Sequence, residues 1–231
     1  MKTVRVVSTM GLAGVLKVFG PEFEAARLDV TLSPTVQLLE RIRGGERGDV
    51  AILTAEGLDE LIAEGLVESR TDLARSFVGV AVRAGAPHPD ISTRDAFVAT
   101  LLSARSVAMS KAGASGIFMA GLLERLGIAD AMRPKSQILA SGYTATLAAS
   151  GEAEIAIQQV SELMVVPGVE IVGRLPAALG GETVFSAGLF RGATEADSGR
   201  ALVAALASPA RAALYLQCGL EPTGTGASIR A

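Results

Sequence analysis

The sequence predicts an α/β fold with parallel sheets, divided into two lobes. Short apolar, β-branched runs alternate with segments of helical spacing along the chain, as in parallel β-α-β units. The alternation forms two successive blocks, each too small for one large sheet. Two longer apolar runs, 77–85 and 183–190, are candidates for strands that cross between the lobes. We therefore expect two Rossmann-like lobes joined by two crossover strands, with a small-ligand cleft between them.

The first block predicts three strands and three helices. Strands are expected where apolar and β-branched residues concentrate, at 3–8, 28–33 and 49–53. Helices are expected at 11–19, 34–44 and 55–64. Gly44-Gly45 ends the second helix and Gly65 the third, because glycine commonly follows a helix C-terminus.

The second block repeats this pattern. Helices are expected at 92–103, 115–127 and 143–150, and strands at 106–109, 137–141, 154–158 and 169–173. Two further helices, 194–206 and 208–217, follow the second crossover strand, and the tail TGTGASIRA is expected to be frayed. The predicted lobes are residues 1–82 with 186–231, and residues 83–185.

The composition excludes several classes of site. The 231 residues carry a formal net charge of −3 with mixed signs, which argues against a nucleic-acid partner because that would need a basic patch. The single cysteine, Cys218, cannot form an internal disulfide, and the single histidine, His88, cannot build a His-rich metal site. No apolar run approaches the roughly 18–20 residues that span a bilayer, so no membrane insertion is expected. Dinucleotide, triphosphate and serine-hydrolase motifs are missing, and no cofactor is predicted.

The N-terminal run MKTVRVVST leads directly into the first predicted strand. It lacks the apolar segment and the small-residue cleavage site of a secretory signal. We therefore expect a cytoplasmic protein, the alternative being a periplasmic one whose signal has been removed. Without a signal, a transporter is not an expected partner.

Four hydroxyl-bearing segments lie where a predicted strand gives way to a helix. They are STMG at 8–11, SPT at 33–35, SKAGAS at 110–115 and SGYT at 141–144. Ligands gather at the C-terminal ends of parallel strands, and helix N-termini favour anions through unpaired N–H groups. Ser and Thr are also preferred helix caps, so each segment alone has a purely structural explanation. Together the four predict a site for a small anion.

Charged and amide side chains extend this prediction. Lys111 and Arg75 add positive charge, although each has the alternative of a solvated surface residue. Gln158 and Gln159 end a buried strand and point to opposite faces, so one amide is expected to face the ligand and the other the backbone. Glu162 lies at the start of a short helix, where capping alone explains it.

Three segments carry a family resemblance, and they are LLERIRGGERGDVAILTAEGLDELIAEGLV, SKAGASGIFMAGLLERLG and GEAEIAIQQVSEL. They resemble type II periplasmic solute-binding proteins, nearest the molybdate-binding branch, and the likeness runs from about residue 3 to 222. GDVAILTA and GASGIF are the most specific parts. The GASGIF and IQQVSEL segments also resemble a sub-branch that includes aconitate isomerase. The resemblance implies the type II periplasmic-binding-protein fold.

The resemblance also implies positions for ligand-binding residues. Molybdate binders hold the oxyanion with hydroxyls and backbone N–H groups at strand ends, and with a tyrosine of the second lobe. The first serine corresponds to Gly11 or Thr9, and the tyrosine to Gln159, so neither is retained. The loss of these two ligand residues, together with the positive charges of Lys111 and Arg75, favours a larger organic anion over molybdate. The predicted ligand-binding residues are Ser8, Thr9, Gly11, Thr35, Arg75, Ser110, Lys111, Ser115, Gly116, Tyr143, Gln158 and Gln159.

Three functions follow as expectations. The first is a binding protein that closes over a di- or tricarboxylate. The alternative is a cytoplasmic isomerase that moves a proton between two allylic carbons of an unsaturated tricarboxylate, which needs a base, an acid and donors for the developing enolate. Lys111 is then the candidate catalytic base, with its pKa lowered by burial, and Ser115 a proton relay. The third is an oxyanion receptor of an ABC importer.

Overall fold

The computed structural model describes residues 2–223, and it confirms the α/β class. The strands are β1 Thr3–Thr9, β2 Arg27–Ser33, β3 Val50–Thr54, β4 Val67–Arg83, β5 Val107–Ser110, β6 Ser136–Leu139, β7 Ile155–Gln159, β8 Val169–Arg174, β9 Glu182–Phe190 and β10 Glu221–Pro222. The helices are α1 Ala13–Phe19, α2 Thr35–Arg43, α3 Ala55–Ala63, α4 Arg94–Ser103, α5 Ala114–Arg125, α6 Ala129–Met132, α7 Ala145–Ser150, α8 Val160–Leu163, α9 Ala196–Leu206 and α10 Ala212–Gln217.

The chain forms two compact units. Unit one contains the residues up to Leu32, Leu38–Ser76 and those from Val184 onward, and unit two contains Ser33–Gln37 and Phe77–Thr183. The predicted crossover strands are confirmed, because β4 and β9 each contribute residues to both units. The sequence-based lobe boundaries, after 82 and after 185, stay a prediction.

Unit one is built on parallel β1 and β3, and β9 runs antiparallel to β3. Buried side chains of α1, α9 and α10 cover this sheet and form one apolar core with it. A buried carboxylate ties three segments together. Asp49 Oδ2 accepts a hydrogen bond from the Arg5 amide at 2.8 Å, and Oδ1 accepts one from the Glu195 amide at 2.9 Å.

Unit two is built on β5, which pairs in parallel with β6 and β7. The C-terminal part of β4 runs antiparallel to both β7 and β8. Helices α4 and α5 pack large apolar side chains on one cluster, whereas α7 packs through alanines, which let it lie close to the sheet. Because β5, β6 and β7 are parallel, their C-terminal ends meet at one edge. Residues 110–113, 140–144 and 159–162 therefore leave the sheet on the same side.

Three elements were not predicted from the sequence. β4 begins at Val67 instead of residue 77, and its residues 68–72 are exposed and polar, so no apolar alternation marks them. The short elements α6 and β10 were also missed. The predicted helix 208–217 begins as a 3-10 turn at Pro209–Arg211. Most of the predicted frayed tail, residues 224–231, lies outside the described residues. Over residues 2–223, no helix is both long and apolar enough to cross a membrane.

Candidate functional site

The predicted residues of the first segment lie at the end of β1 in unit one. Ser8 is fully buried, and its hydroxyl donates a hydrogen bond to the Thr9 carbonyl at 3.0 Å. Thr9 is buried as well. A Cβ atom placed on Gly11 would lie 2.4 Å from Phe185 Cζ, so the aromatic ring occupies the space that a side chain would need. Packing against Phe185 therefore explains the glycine at position 11.

Arg75, the second predicted cation, lies on β4 opposite Glu221 of β10. Its Nη2 donates to Glu221 Oε2 at 3.3 Å, and the arginine side chain is partly exposed. In this structure the guanidinium is thus engaged in an ion pair within unit one.

Unit two brings three of the predicted segments together. The Val36 amide donates to the Ala112 carbonyl at 3.3 Å, and Gln37 Nε2 donates to the Ala140 carbonyl at 3.1 Å. The Lys111 amide donates to the Leu139 carbonyl at 2.8 Å. The segment 33–37, with buried Thr35, therefore lies against both the 110–116 and the 140–144 loops.

The 110–116 loop presents two buried hydroxyls around Gly113. Ser110 Oγ accepts a hydrogen bond from the Gly113 amide at 3.1 Å. A Cβ atom on Gly113 would lie 3.0 Å from Ser110 Oγ and 4.0 Å from Ser115 Oγ, so both hydroxyls face the same point of the backbone. Ser115 is 1% exposed, and its hydroxyl has no hydrogen-bond partner among the residues described.

Helix α5 begins at Ala114, within this loop, and no side chain caps its N-terminus. Gly113 occupies the N-cap position without a side chain to cap the helix. The Gly116 amide donates to the Gly113 carbonyl at 3.0 Å, whereas the amides of Ala114 and Ser115, as the first two of the helix, have no intrahelical acceptor. The buried Ser115 hydroxyl thus lies beside amides that carry the positive end of the helix dipole.

Lys111 is exposed and lines a groove of about 370 Å³ beside α5 and β6. Glu124 and Arg133 line the same groove, together with apolar side chains of β5, α5 and α6. The lysine is therefore a solvated side chain next to Ser110. The burial that was expected to lower its pKa is not present.

The 140–144 loop is fixed by Gln158. Gln158 Oε1 accepts from the Thr144 amide at 2.8 Å and from the Thr144 hydroxyl at 3.1 Å, and Nε2 donates to the Gly142 carbonyl at 3.2 Å. Tyr143, half-buried, lies between these two anchored residues.

Gln159 points the other way, as expected for the next residue on a strand. Its Nε2 donates to Thr183 Oγ1 at 3.1 Å, but its Oε1 is buried without a hydrogen-bond partner within residues 2–223. Of the two glutamines, Gln158 therefore faces the backbone, whereas the side-chain oxygen of Gln159 is buried without a hydrogen-bond partner among the described residues.

Glu162 is buried, which its place in the sequence does not predict. It is 5% exposed, although its position at a helix start suggested only a capping role. Burial raises the pKa of its carboxyl to about 7, and hydrogen bonds from the Gln159 amide and the Gln158 side chain oppose that shift. The pKa of Tyr143 is raised by burial and by the nearby charge of Glu162. The only sequence signal was its position three residues beyond a strand whose every residue is buried.

The described part of the chain contains no group of three or more His, Cys, Asp or Glu side chains that could hold a metal ion. The chemistry of the loops in unit two is accordingly that of hydroxyls, amides and one lysine.

Solved structures share this fold. The periplasmic molybdate-binding protein of Azotobacter vinelandii aligns with a TM-score of 0.79 at 18% identity, covering 94% of this chain and 98% of that one. PEB3 with bound L-phospholactate aligns with a TM-score of 0.70 at 13% identity, covering 94% and 99%. At these identities the likeness shows the fold alone, and that fold is the one of periplasmic binding proteins.

The sequence comparison then gives the family. The model of the bacterial extracellular solute-binding protein family matches residues 4–221, and the chain belongs to this family. A curated relative, aconitate isomerase of a Pseudomonas species, is 35% identical over 231 residues, covering 95% of this chain and 88% of that protein. The predicted family resemblance is thereby confirmed.

Proposed function

We propose that this chain binds a small organic anion with two or three carboxylates at the loops 33–37, 110–116 and 140–144 of unit two. One observation carries the proposal, the buried hydroxyl of Ser115 without a hydrogen-bond partner in the first turn of α5. A buried polar atom that lacks a partner costs free energy, and a ligand oxygen at this place would remove that cost.

The surroundings of Ser115 favour an anion. The free amides of the first helical turn and the helix dipole both favour negative charge. Lys111, four residues earlier, adds a full positive charge at the same loop. Of the other predicted residues, Thr35, Ser110, Gly116 and Tyr143 belong to the three loops, and Gln159 offers a second buried atom without a partner.

A carboxylate is favoured over molybdate by two departures from the molybdate-binding pattern. Gly11 or Thr9 stands at the place of a ligand serine, and Gln159 at the place of the ligand tyrosine. Two neighbours support an organic ligand as well, since the curated relative is named for a tricarboxylate and the PEB3 structure contains phospholactate.

A thermal-shift screen tests the ligand class. We expect trans-aconitate or citrate to raise the melting temperature by several degrees, because a ligand at about 100 times its Kd adds about 2.7 kcal/mol of stability. Molybdate and sulfate are the oxyanion controls. Stabilisation by molybdate alone would instead support the receptor of an oxyanion importer.

The second candidate function is an isomerase, favoured by the 35% identity to aconitate isomerase. In an allylic shift, a base removes a proton from one carbon, the double bond moves, and an acid returns a proton to the other allylic carbon. Donors such as the α5 amides and Ser115 would stabilise the enolate-like charge between these steps. Lys111 would hold or move the proton, and because it is exposed, the bound acid itself would have to cover it.

Proton NMR of trans-aconitate incubated with the protein in D₂O tests the isomerase. We expect deuterium uptake and formation of the cis isomer with the wild type, and a strong reduction with Lys111→Ala. Lys17→Ala, an exposed lysine of α1, is the matched control. Binding of trans-aconitate without isotope exchange or isomer formation would contradict the isomerase and support a binding function only.

A further inference from the structure

The groove of about 370 Å³ in unit two lies between α5 and β6, the last strand of its sheet. Met109 of β5 pairs directly opposite Ile138 of β6, and both side chains line the groove. Gly116, Ala120 and Leu123 form its α5 wall, because residues three and four apart share one face of a helix. The groove therefore has one wall from the helix and one from the edge of the sheet, and its volume is that of a small-molecule site.

The middle of the groove is apolar surface that the fold leaves open. Ile138 is 52% exposed, although it lies in a strand. Ala120 is also exposed, and its methyl group is too small to fill the space beside it. Met109 and Leu123 are buried in the core beneath. A ligand with an apolar body would remove this surface from water, which favours binding.

One end of the groove offers two donors to an anion. Lys111 is exposed and makes no ion pair with any carboxylate of residues 2–223. Ser110 is 6% exposed, and its Oγ accepts from the Gly113 amide at 3.1 Å. The Ser110 hydroxyl proton has no acceptor within the same described range, so it can be donated to a ligand. A lysine and a buried hydroxyl together suit one carboxylate.

The other end of the groove does not suit a second carboxylate. Arg133 lines it, but its Nη2 donates to Asp130 Oδ1 at 2.8 Å, so its charge is already offset. Glu124 lines the groove as well and adds an exposed negative charge. The distance between the two ends follows from the helix, since eight residues from Gly116 to Glu124 rise about 12 Å.

We propose that this groove binds a monocarboxylate with an unbranched apolar chain of about ten carbons, which is the number that spans this length. The carboxylate would lie at Lys111 and Ser110, and the chain would lie between α5 and β6. The inference does not rest on the proposed function, because its ligand is of another class and its apolar walls are outside the three loops. The two ligands share Lys111, so each should weaken the binding of the other.

A chain-length series tests the groove in the wild type. Hexanoate, octanoate, decanoate and dodecanoate are titrated calorimetrically, each below its micelle concentration. We expect the affinity to rise by up to about fourfold per added CH₂ as far as decanoate, and little from decanoate to dodecanoate, because the groove ends. Octanol, which has no charge, should bind about two- to fivefold more weakly than octanoate, as an exposed ion pair allows.

Two variants at exposed positions test where the chain lies. Ala120→Phe fills the groove and should weaken decanoate binding by about tenfold or more. Ile117→Phe is the matched control, because Ile117 is an exposed residue of the same helix outside the groove. Ile138→Asp adds a negative charge to the opposite wall and should weaken decanoate binding as well. Neither substitution in the groove buries a new group in the core, and the chain-length series needs no variant.

The outcomes separate this inference from the proposed function. It is overturned if decanoate does not bind, if the affinity keeps rising beyond decanoate, or if Ala120→Phe binds decanoate as Ile117→Phe does. A wild-type dimer in light scattering that Ile138→Asp dissociates, without decanoate binding, would instead assign the groove to a second copy of the chain. Saturable, Ala120-dependent decanoate binding without any binding of trans-aconitate would support the groove while the proposed function fails.

Discussion

Gln158 Oε1 lies 2.8 Å from the amide nitrogen of Thr144 and 3.1 Å from its hydroxyl oxygen, so one buried amide side chain fixes the turn that carries Tyr143. Gln158 and Thr144 are both almost completely buried. The same glutamine donates through Nε2 to the Gly142 carbonyl at 3.2 Å. Local stability and the geometry of the proposed anion site are thus linked through one side chain.

Gln158→Leu should destabilise the protein by about 2–4 kcal/mol. Leucine has a similar size, but it leaves the buried Thr144 amide and the partly buried Gly142 carbonyl without their partner, and each such group costs about 1–3 kcal/mol. Thermal melting followed by circular dichroism measures the loss. The control Gln217→Leu changes an exposed glutamine and should stay within about 0.5 kcal/mol of the wild type. Equal effects of the two variants would show that the Gln158 hydrogen bonds are not stabilising.

Gly116→Ala should disrupt the start of α5. The added Cβ atom would lie 1.9 Å from the Ser110 carbonyl oxygen, and backbone atoms cannot move aside cheaply. We expect a loss of more than about 2 kcal/mol in the free energy of unfolding. Gly121→Ala in the same helix meets only the flexible end of Arg125 at 3.4 Å, so it should gain about 0.5–1 kcal/mol from helix propensity. A neutral Gly116→Ala would contradict the close approach of α5 to β5.

Two serines of one loop should respond differently to removal of the hydroxyl. Ser110→Ala loses the bond from the Gly113 amide and should lower the free energy of unfolding by about 1 kcal/mol. Ser115→Ala removes a hydroxyl without a partner, so the stability of the ligand-free protein should stay within about 0.5 kcal/mol or rise. Denaturant unfolding compares them, and a larger loss at Ser115 than at Ser110 would mean that its hydroxyl is bonded in the free protein.

The stability of the protein should fall between about pH 4.5 and 7 because of Glu162. Its pKa is about 7 in the folded state, against an ordinary value of 4.5, so over this range the folded state binds more protons than the unfolded one. The contribution is fully present below the unfolded pKa and is lost as the pH rises through the folded one, and it amounts to about 3 kcal/mol. Glu162→Gln should therefore be more stable than the wild type at pH 8 and similar at pH 4.5.

Unfolding curves at several pH values check this expectation, with Glu24→Gln as the matched control. The difference between Glu162→Gln and the wild type should grow with pH, whereas that between Glu24→Gln and the wild type should be constant. A pH-independent difference at Glu162 would show that its carboxyl titrates normally in the folded protein.

The elements with a strong apolar pattern could be predicted from the sequence. β3 and β7 are buried at every position, and an apolar run marks the first four residues of β3 and the first three of β7. The N-terminal part of β4 could not be predicted, because five successive exposed residues give no periodicity and only pairing with other strands makes them a strand. The lobe boundaries stay a prediction for a related reason. Each boundary falls inside one continuous strand, β4 or β9, and the apolar pattern of a strand does not change where one unit ends and the other begins.

The candidate site was predictable in its segments but not in its contacts. Hydroxyls at strand ends identified the loops at Thr35, Ser110 and Tyr143, which unit two brings together. The sequence could not show that Phe185 covers Gly11 or that Arg75 pairs with Glu221, because both contacts join residues far apart in the chain. Burial of Glu162 was hidden as well, since its neighbours in the sequence suggest a helix cap.

The central claim, a carboxylate held at the start of α5, is tested most directly by titrating trans-aconitate into the wild type and into Ser115→Ala. We predict saturable binding to the wild type and a loss of about tenfold or more in affinity for Ser115→Ala, because a hydrogen bond to a charged group contributes about 1.5–3 kcal/mol. Equal affinities, or binding of molybdate but not of trans-aconitate, would contradict the account.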